Sequence, residues 1–243
     1  LLAGARPAAV VSLPSQQETI VLAMDVSGSM RATDVQPDRI TAAKDAAKTF
    51  VADLPRGVRI AVVSFAGTAA VVQPPTHNRP DVVAAIDRFQ LQRGTAIGSG
   101  IVLSLATLFP DAGIDLSQIT GQRAMPPGPE EKPKPEFAPV QPGSYPSAAV
   151  ILLTDGQRTT GPDPLEAAKM AADRGIRVYT VGIGTKDGET IGFEGWSMRV
   201  RLDEESLKAI ANMTRGEYFY AGTAVDLKKV YETLNAKLVM ETR

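Results

Sequence analysis

The sequence contains no cysteine and one histidine, His77. The first absence excludes a disulfide framework, a thiolate zinc site and a cysteine nucleophile; the second excludes any site that needs two imidazoles, which removes most zinc hydrolases. An excess of one charge is also missing: 26 Lys and Arg stand against 27 Asp and Glu, for a net charge of -1 at pH 7. That balance offers no general attraction for nucleic acid or for an anionic membrane surface. No run approaches the roughly 18 apolar residues of a spanning helix, so the chain as given reads as soluble. Its opening, "LLAGARPAAVV", starts with Leu rather than Met and reads as the trimmed end of something apolar followed by an extended, Pro-containing entry. Residues 1–17 are therefore expected to form an N-terminal, membrane-proximal extension of an excised fragment.

What is present is an alternation of short apolar runs and amphipathic stretches. With 243 residues and 44% hydrophobic content, the chain can bury a full core. "ETIVLAMD" (18–25), "VRIAVVSFAG" (58–67), "SAAVILLTDG" (147–156) and "IRVYTVGIG" (176–184) are nearly continuously apolar, as parallel strands buried on both faces should be. Three- and four-residue apolar spacing predicts helices within 37–55 and over 79–89, 97–109, 163–174, 203–213 and 223–238. Pro37 suits the first turn of the first helix, and Asp203 and Thr223 suit the N-caps of the last two. "AAVVQPP" (69–75) follows its neighbour after a short turn and predicts an antiparallel edge strand; "GEYFYAG" supplies a final strand. The expected fold class is α/β: a doubly wound, Rossmann-like domain over 18–243, with a central mostly parallel sheet, one antiparallel edge strand and helices on both faces. A Pro-rich insertion at about 112–146 interrupts it, with eight of the 18 prolines between Pro126 and Pro146. The Trp196 segment "GFEGWSMRVRLDEES" is expected to be an irregular excursion near the sheet's edge, with Trp196 a packed anchor.

The chemistry-bearing residues lie at strand ends. "LAMDVSGSM" stops an apolar run at Asp25 and turns through Ser27, Gly28 and Ser29; "VILLTDG" stops another at Asp155; "QRGTAIGSGI" places Thr95 after a glycine and before a helix. In a doubly wound sheet, ligands bind outside the carboxyl ends of the strands. Two carboxylates and three hydroxyls on one rim form an all-oxygen set suited to a hard, six-coordinate cation such as Mg²⁺. Each residue also has an ordinary structural role open to it: Ser27 and Ser29 as turn caps, Thr95 as a helix N-cap, Asp155 as the acid of an Asx-turn.

"DVSGS" with Asp25, Ser27 and Ser29, then Thr95, then Asp155 in "TDG", resembles the metal-ion-dependent adhesion site (MIDAS) of von Willebrand factor A (VWA) domains. The resemblance covers nearly the whole chain in element order, and the Pro-rich insertion accounts for a longer interval between Thr95 and Asp155. It implies that the serines hold a metal directly, the threonine directly or through water, and the aspartates mostly through water. The cofactor so implied is Mg²⁺, with Mn²⁺ or Ca²⁺ as substitutes, and its exchangeable position would favour an Asp or Glu carboxylate from a partner protein.

Enzyme readings fit less well. A haloacid-dehalogenase phosphotransferase wants a second acid two residues after Asp25, where Ser27 stands, and His77 sits in a polar loop away from any serine pattern. No enzyme activity and no catalytic residue are expected; the alternatives are a scaffold binding through helices or the Pro-rich loop without metal, and a metal-dependent hydrolase using Asp25. The N-terminal "LLAGARP", "DVSGSM" with "ATDV" soon after, "VYTVGIGT" and "RLDEESLKAIA" with "GEYFYA" further resemble the Bat group of bacterial VWA proteins. That resemblance implies a module tethered to the bacterial inner membrane by segments outside this fragment and facing the periplasm. It also implies association with MoxR-type AAA+ ATPases or other membrane-complex subunits, and with stress tolerance.

Overall fold

β1 (Thr19–Asp25) is buried along its whole length, because it lies between two parallel neighbours and under helices on both faces. In the computed structural model, which describes residues 18–117, 138–193 and 195–241, β1 pairs with β2 (Arg59–Phe65) on one side and β4 (Ala148–Thr154) on the other. β5 (Arg177–Ile183) and β8 (Tyr218–Ala221) extend the parallel array beyond β4. β3 (Ala69–Thr76) closes the opposite edge antiparallel to β2, giving the order β3-β2-β1-β4-β5-β8. The N-terminal extension at 1–17 and residues 118–137 of the Pro-rich insertion lie outside the described residues. The insertion's last stretch returns to the body through Val140 N–H to Asp173 O at 2.7 Å and Tyr145 N–H to Gly175 O at 3.0 Å.

Alternation along the strands sorts the core into two layers. Leu22, Met24, Val62, Ile151 and Val181 face α1 (Arg39–Asp53), α2 (Arg79–Asp87) and α6 (Ala224–Glu241), where Phe50, Ile86 and Leu234 meet them. Val21, Ala23, Val63, Leu152 and Val178 face α3 (Ile97–Leu108), α4 (Pro164–Asp173) and α5 (Glu204–Met213). The chain leaves β1 toward the first layer and β4 toward the second. The carboxyl ends of these two neighbours therefore flank the topological switch point, where an α/β sheet opens its crevice.

Local chemistry sets the helix starts. Asp38, not Pro37, begins α1: its carboxylate accepts from Thr41 N–H at 2.8 Å, and Pro37 stands one residue before that cap. Asp203 and Thr223 cap α5 and α6 as expected, accepting from Ser206 N–H and Asp226 N–H. The excursion after β5 is a regular element. β6 (Glu189–Phe193) and β7 (Trp196–Val200) form an antiparallel two-stranded ribbon separate from the main sheet. Ile191 and Val200 of this ribbon are buried with Ala32, just after the loop that follows β1. The Trp196 side chain lies outside the described positions.

Candidate metal centre

Asp25 ends β1 fully buried, and both its carboxylate oxygens are engaged. Oδ1 accepts from Ser27 N–H at 2.7 Å, an Asx-turn that bends the chain out of the sheet; Oδ2 accepts from the Thr154 hydroxyl at 2.6 Å across the β1–β4 boundary. A short 3-10 helix, Gly28–Arg31, then brings the Ser27 and Ser29 hydroxyls to 2.9 Å from each other. Asp155 follows β4 directly, and its Oδ1 accepts from Gln157 N–H at 3.0 Å. The Asx-turn reading of Asp155 therefore holds alongside any metal role. Gly156, at φ 82°, permits this turn: a Cβ there would meet Asp203 O at 2.4 Å.

Thr95 reaches the rim along a different route. Segment 92–96 is fastened to the ends of β1 and β2 by Gln92 N–H to Val26 O, Gly67 N–H to Arg93 O and Ala96 N–H to Ala66 O. Gly94, at φ 81°, lets it pass close to Gly67, whose Cα a Cβ at position 94 would approach to 2.9 Å. Thr95 is not the N-cap of α3; Ala96 holds that position without a side-chain bond. Instead the Thr95 N–H donates to the Thr159 hydroxyl and its carbonyl accepts from Thr159 and Thr160 N–H, which leaves the side chain at the rim. Ser27, Ser29 and Thr95 line one open cleft of about 460 Å³, and the buried Asp25 and Asp155 close the strand ends behind them.

Sequence reasoning missed the cation built into this site. Arg39, the first residue of α1, is 0% exposed. Its guanidinium binds Asp155 Oδ2 through Nη1 at 3.1 Å and forks onto Asp34 through Nε and Nη2, both at 2.7 Å. Asp34 Oδ2 also accepts from the Thr185 N–H and hydroxyl, each at 2.9 Å, tying the loop after β1 to the end of β5. Burial works against the Asp34 charge, but the hydrogen bonds from Arg39 and Thr185 and the Arg39 charge hold its pKa below the ordinary value. An arginine in a helical polar pattern reads as a solvated face; only the fold shows it turned inward.

The donor set fits a hard divalent cation. Among the described residues no group of three or more His, Asp or Glu side chains could hold a metal, so the hydroxyls are needed to complete any coordination here. Arg39 pairs with Asp34 and Asp155, while Asp25 beside them is held by the neutral donors Ser27 N–H and the Thr154 hydroxyl, so ionised carboxylates would outnumber the one guanidinium. Burial, and next the Asp155 charge, push Asp25 up to about 7 against its bonds to Ser27 and Thr154. Burial likewise raises Asp155, opposed by hydrogen bonds from Ser29 and Gln157 and by Arg39. With Arg39 shared between Asp155 and Asp34, the Asp25–Asp155 pair is costly to keep fully ionised without a further counter-ion.

This has a measurable pH signature. The folded pKa of Asp25 lies above its ordinary value of 3.8, so its contribution to metal-free stability is full below about 3.8 and is lost as pH rises through about 7. The metal-free domain is expected to melt several degrees lower at pH 8 than at pH 5. A divalent cation held at this rim would gain affinity about tenfold per pH unit below 7 and level off above it, as proton and cation compete for Asp25. Thermal melts and Mg²⁺ titrations at both pH values, with Asp25→Asn as the control that lacks the effect, check this.

The fold finds its counterparts among known proteins. A family model for the von Willebrand factor type A domain matches residues 20–157, and a second model of the same description matches residues 143–233. The chain belongs to the von Willebrand factor type A domain family. Among relatives, it is 36% identical over 255 residues to a UPF0353 protein of Nocardia farcinica and 34% identical over 247 residues to one of Mycolicibacterium gilvum. Each match covers 99% of this chain, which spans 69% and 66% of the two relatives' lengths. The crystal structure of BatB from Bacteroides thetaiotaomicron superposes with a TM-score of 0.68 at 25% identity, covering 92% of this chain and 99% of that one. An aerotolerance-related membrane protein from Bacteroides fragilis shares the fold with a TM-score of 0.69 at 22% identity, covering the same shares. Among the described residues, no helix is long and apolar enough to cross a membrane.

Proposed function

We propose that this domain is a protein-binding module whose rim holds a Mg²⁺-type cation and captures an Asp or Glu side chain of a partner protein. The observation that carries the reading is the pair of buried carboxylates at adjacent strand ends beside three rim hydroxyls. Ser27, Ser29, Thr95, Asp25 and Asp155 would hold the cation, which when bound supplies a Lewis-acidic position that favours a carboxylate ligand. The chain's own residues do the rest. Thr154 and Ser27 N–H fix the Asp25 carboxylate, Arg39 fixes Asp155, and Gly94 lets Thr95 reach the same cleft.

A non-enzymatic role is part of the proposal. Asp25 is fully buried with both oxygens hydrogen-bonded, an unsuitable state for a nucleophile that must reach a substrate. A zinc-occupied MIDAS occurs in the structure of a mussel byssus protein with the same fold, 23% identical to this chain; its ion belongs to that protein, and Mg²⁺ is proposed here from the oxygen ligands. The sequence resemblance to the Bat group, together with the likeness to BatB at 25% identity, is the ground for a further reading. In it, the domain faces the periplasm from the bacterial inner membrane, with a MoxR-type AAA+ ATPase or another membrane-complex subunit as partner.

The test is capture of partners from bacterial membrane extract by the wild-type protein in Mg²⁺, repeated in EDTA and with Asp25→Asn. A protein retained only by the wild type in Mg²⁺ is the expected result. Equal retention under all three conditions would move binding off the rim and support a metal-independent scaffold.

A further inference from the structure

The β6–β7 hairpin is not needed to close the main sheet, yet it is fastened to the loop that carries the oxygen site. The Glu189 carboxylate accepts from the Thr33 N–H, from the Thr33 hydroxyl at 2.9 Å and from Asp34 N–H at 3.0 Å. Asp34 is the acid that Arg39 joins to Asp155. Ile191 and Val200 bury against Ala32, so the base of the hairpin has a small apolar anchorage of its own.

Ile191 is directly opposed to Met198 across the two strands, which places their side chains on one face. Both line the same cleft as Ser27, Ser29 and Thr95. Met198 is 50% exposed, a thioether held open to solvent beside the rim hydroxyls. The cleft thus joins a cation-type oxygen site to a short apolar wall, and Arg93 also lines it. Its volume of about 460 Å³ exceeds what one carboxylate side chain fills, and it lies within the range of about 300–1,000 Å³ for pockets that enclose small ligands. Methionine is the apolar residue best able to adapt to side chains of different shape.

We infer that the hairpin is a specificity wall, and that the partner segment presents its acid beside a large apolar residue, which packs on Met198 and Ile191. The inference rests on the proposed carboxylate capture and adds the chemistry of the flanking residue. Charge complementarity fixes the acid at the oxygen site, and the wall selects what may stand next to it.

The test uses the 243-residue chain, uniformly ¹⁵N-labelled, and three capped tetrapeptides: Gly-Leu-Glu-Gly, Gly-Ser-Glu-Gly and Gly-Leu-Gln-Gly. Each is titrated in Mg²⁺ and in EDTA, after a titration with Mg²⁺ alone. In Mg²⁺ the leucine–glutamate peptide is expected to bind about five- to tenfold more tightly than the serine–glutamate peptide, and the glutamine peptide to show no saturable binding. Met198→Ser should reduce that preference to less than twofold, and Met198→Leu should restore it. Equal binding of the two glutamate peptides, or a preference that survives Met198→Ser, overturns the wall while leaving metal-bridged capture intact. Failure of Mg²⁺ alone to perturb the amides of residues 25–29 and 95 overturns the proposed function, and the wall with it.

Discussion

Replacing Arg39 with methionine is expected to destabilise the metal-free domain by about 3–5 kcal/mol, the cost of leaving buried charge without its partner. The substitution keeps much of the apolar stem but removes the fork that holds Asp34 and the bond to Asp155. Asp155 is 0% exposed and the Asp34 side chain 8% exposed, so water cannot replace the lost charge at Asp155 and replaces only part of it at Asp34. The consequence should be a fall in melting temperature on the order of 10 °C for a chain of this size. Arg39→Lys should recover only part of the loss, because an ammonium cannot bridge two carboxylates with a planar fork. Urea unfolding of the three proteins at one pH checks this; a loss below 1 kcal/mol for Arg39→Met would remove the guanidinium from the account of how the rim is held. Mg²⁺ added at saturation should narrow the difference, since a cation at the rim supplies part of the missing positive charge.

The second large effect has the opposite sign on stability. Asp25→Asn is expected to lower Mg²⁺ affinity about 10–100-fold, yet to leave the metal-free domain at least as stable at pH 8 as the wild type. The amide retains an acceptor for Ser27 N–H or the Thr154 hydroxyl, and the repulsion from Asp155 disappears. A site that stores unfavourable charge for a ligand gains stability when the charge is removed and loses its ligand. Melting curves with and without Mg²⁺ separate the two quantities. A variant that unfolds outright would make Asp25 a structural residue first, and one that keeps its Mg²⁺ response would exclude it from the oxygen set.

Much of this domain was readable before its structure. The strands around 18–25, 58–67, 147–156 and 176–184, the antiparallel strand at 69–76 and six helices follow from apolar periodicity, which acts over neighbouring residues. The positions of Asp25, Ser27, Ser29, Thr95 and Asp155 at strand ends and turns were legible for the same reason, since a strand that stops at an acid and a glycine marks its own rim. The excursion after β5 was misread as irregular because its alternation is short and broken by Gly192 and Gly195, while the contacts that order it are to Ala32, Thr33 and Asp34, some 155 residues away in sequence.

By itself, then, the sequence determined the layer architecture, the order of elements and the strand-end residues that bear chemistry, because hydrophobic pattern and turn chemistry are local properties of the chain. Only the tertiary structure decided that Thr154 steadies Asp25, that Arg39 turns inward to join Asp155 to Asp34, and that the hairpin stands beside the cleft with Met198 exposed on it. Those are long-range pairings between polar groups. Burial makes them strong, and burial is a property that no stretch of sequence displays until the sheet has brought its distant segments together.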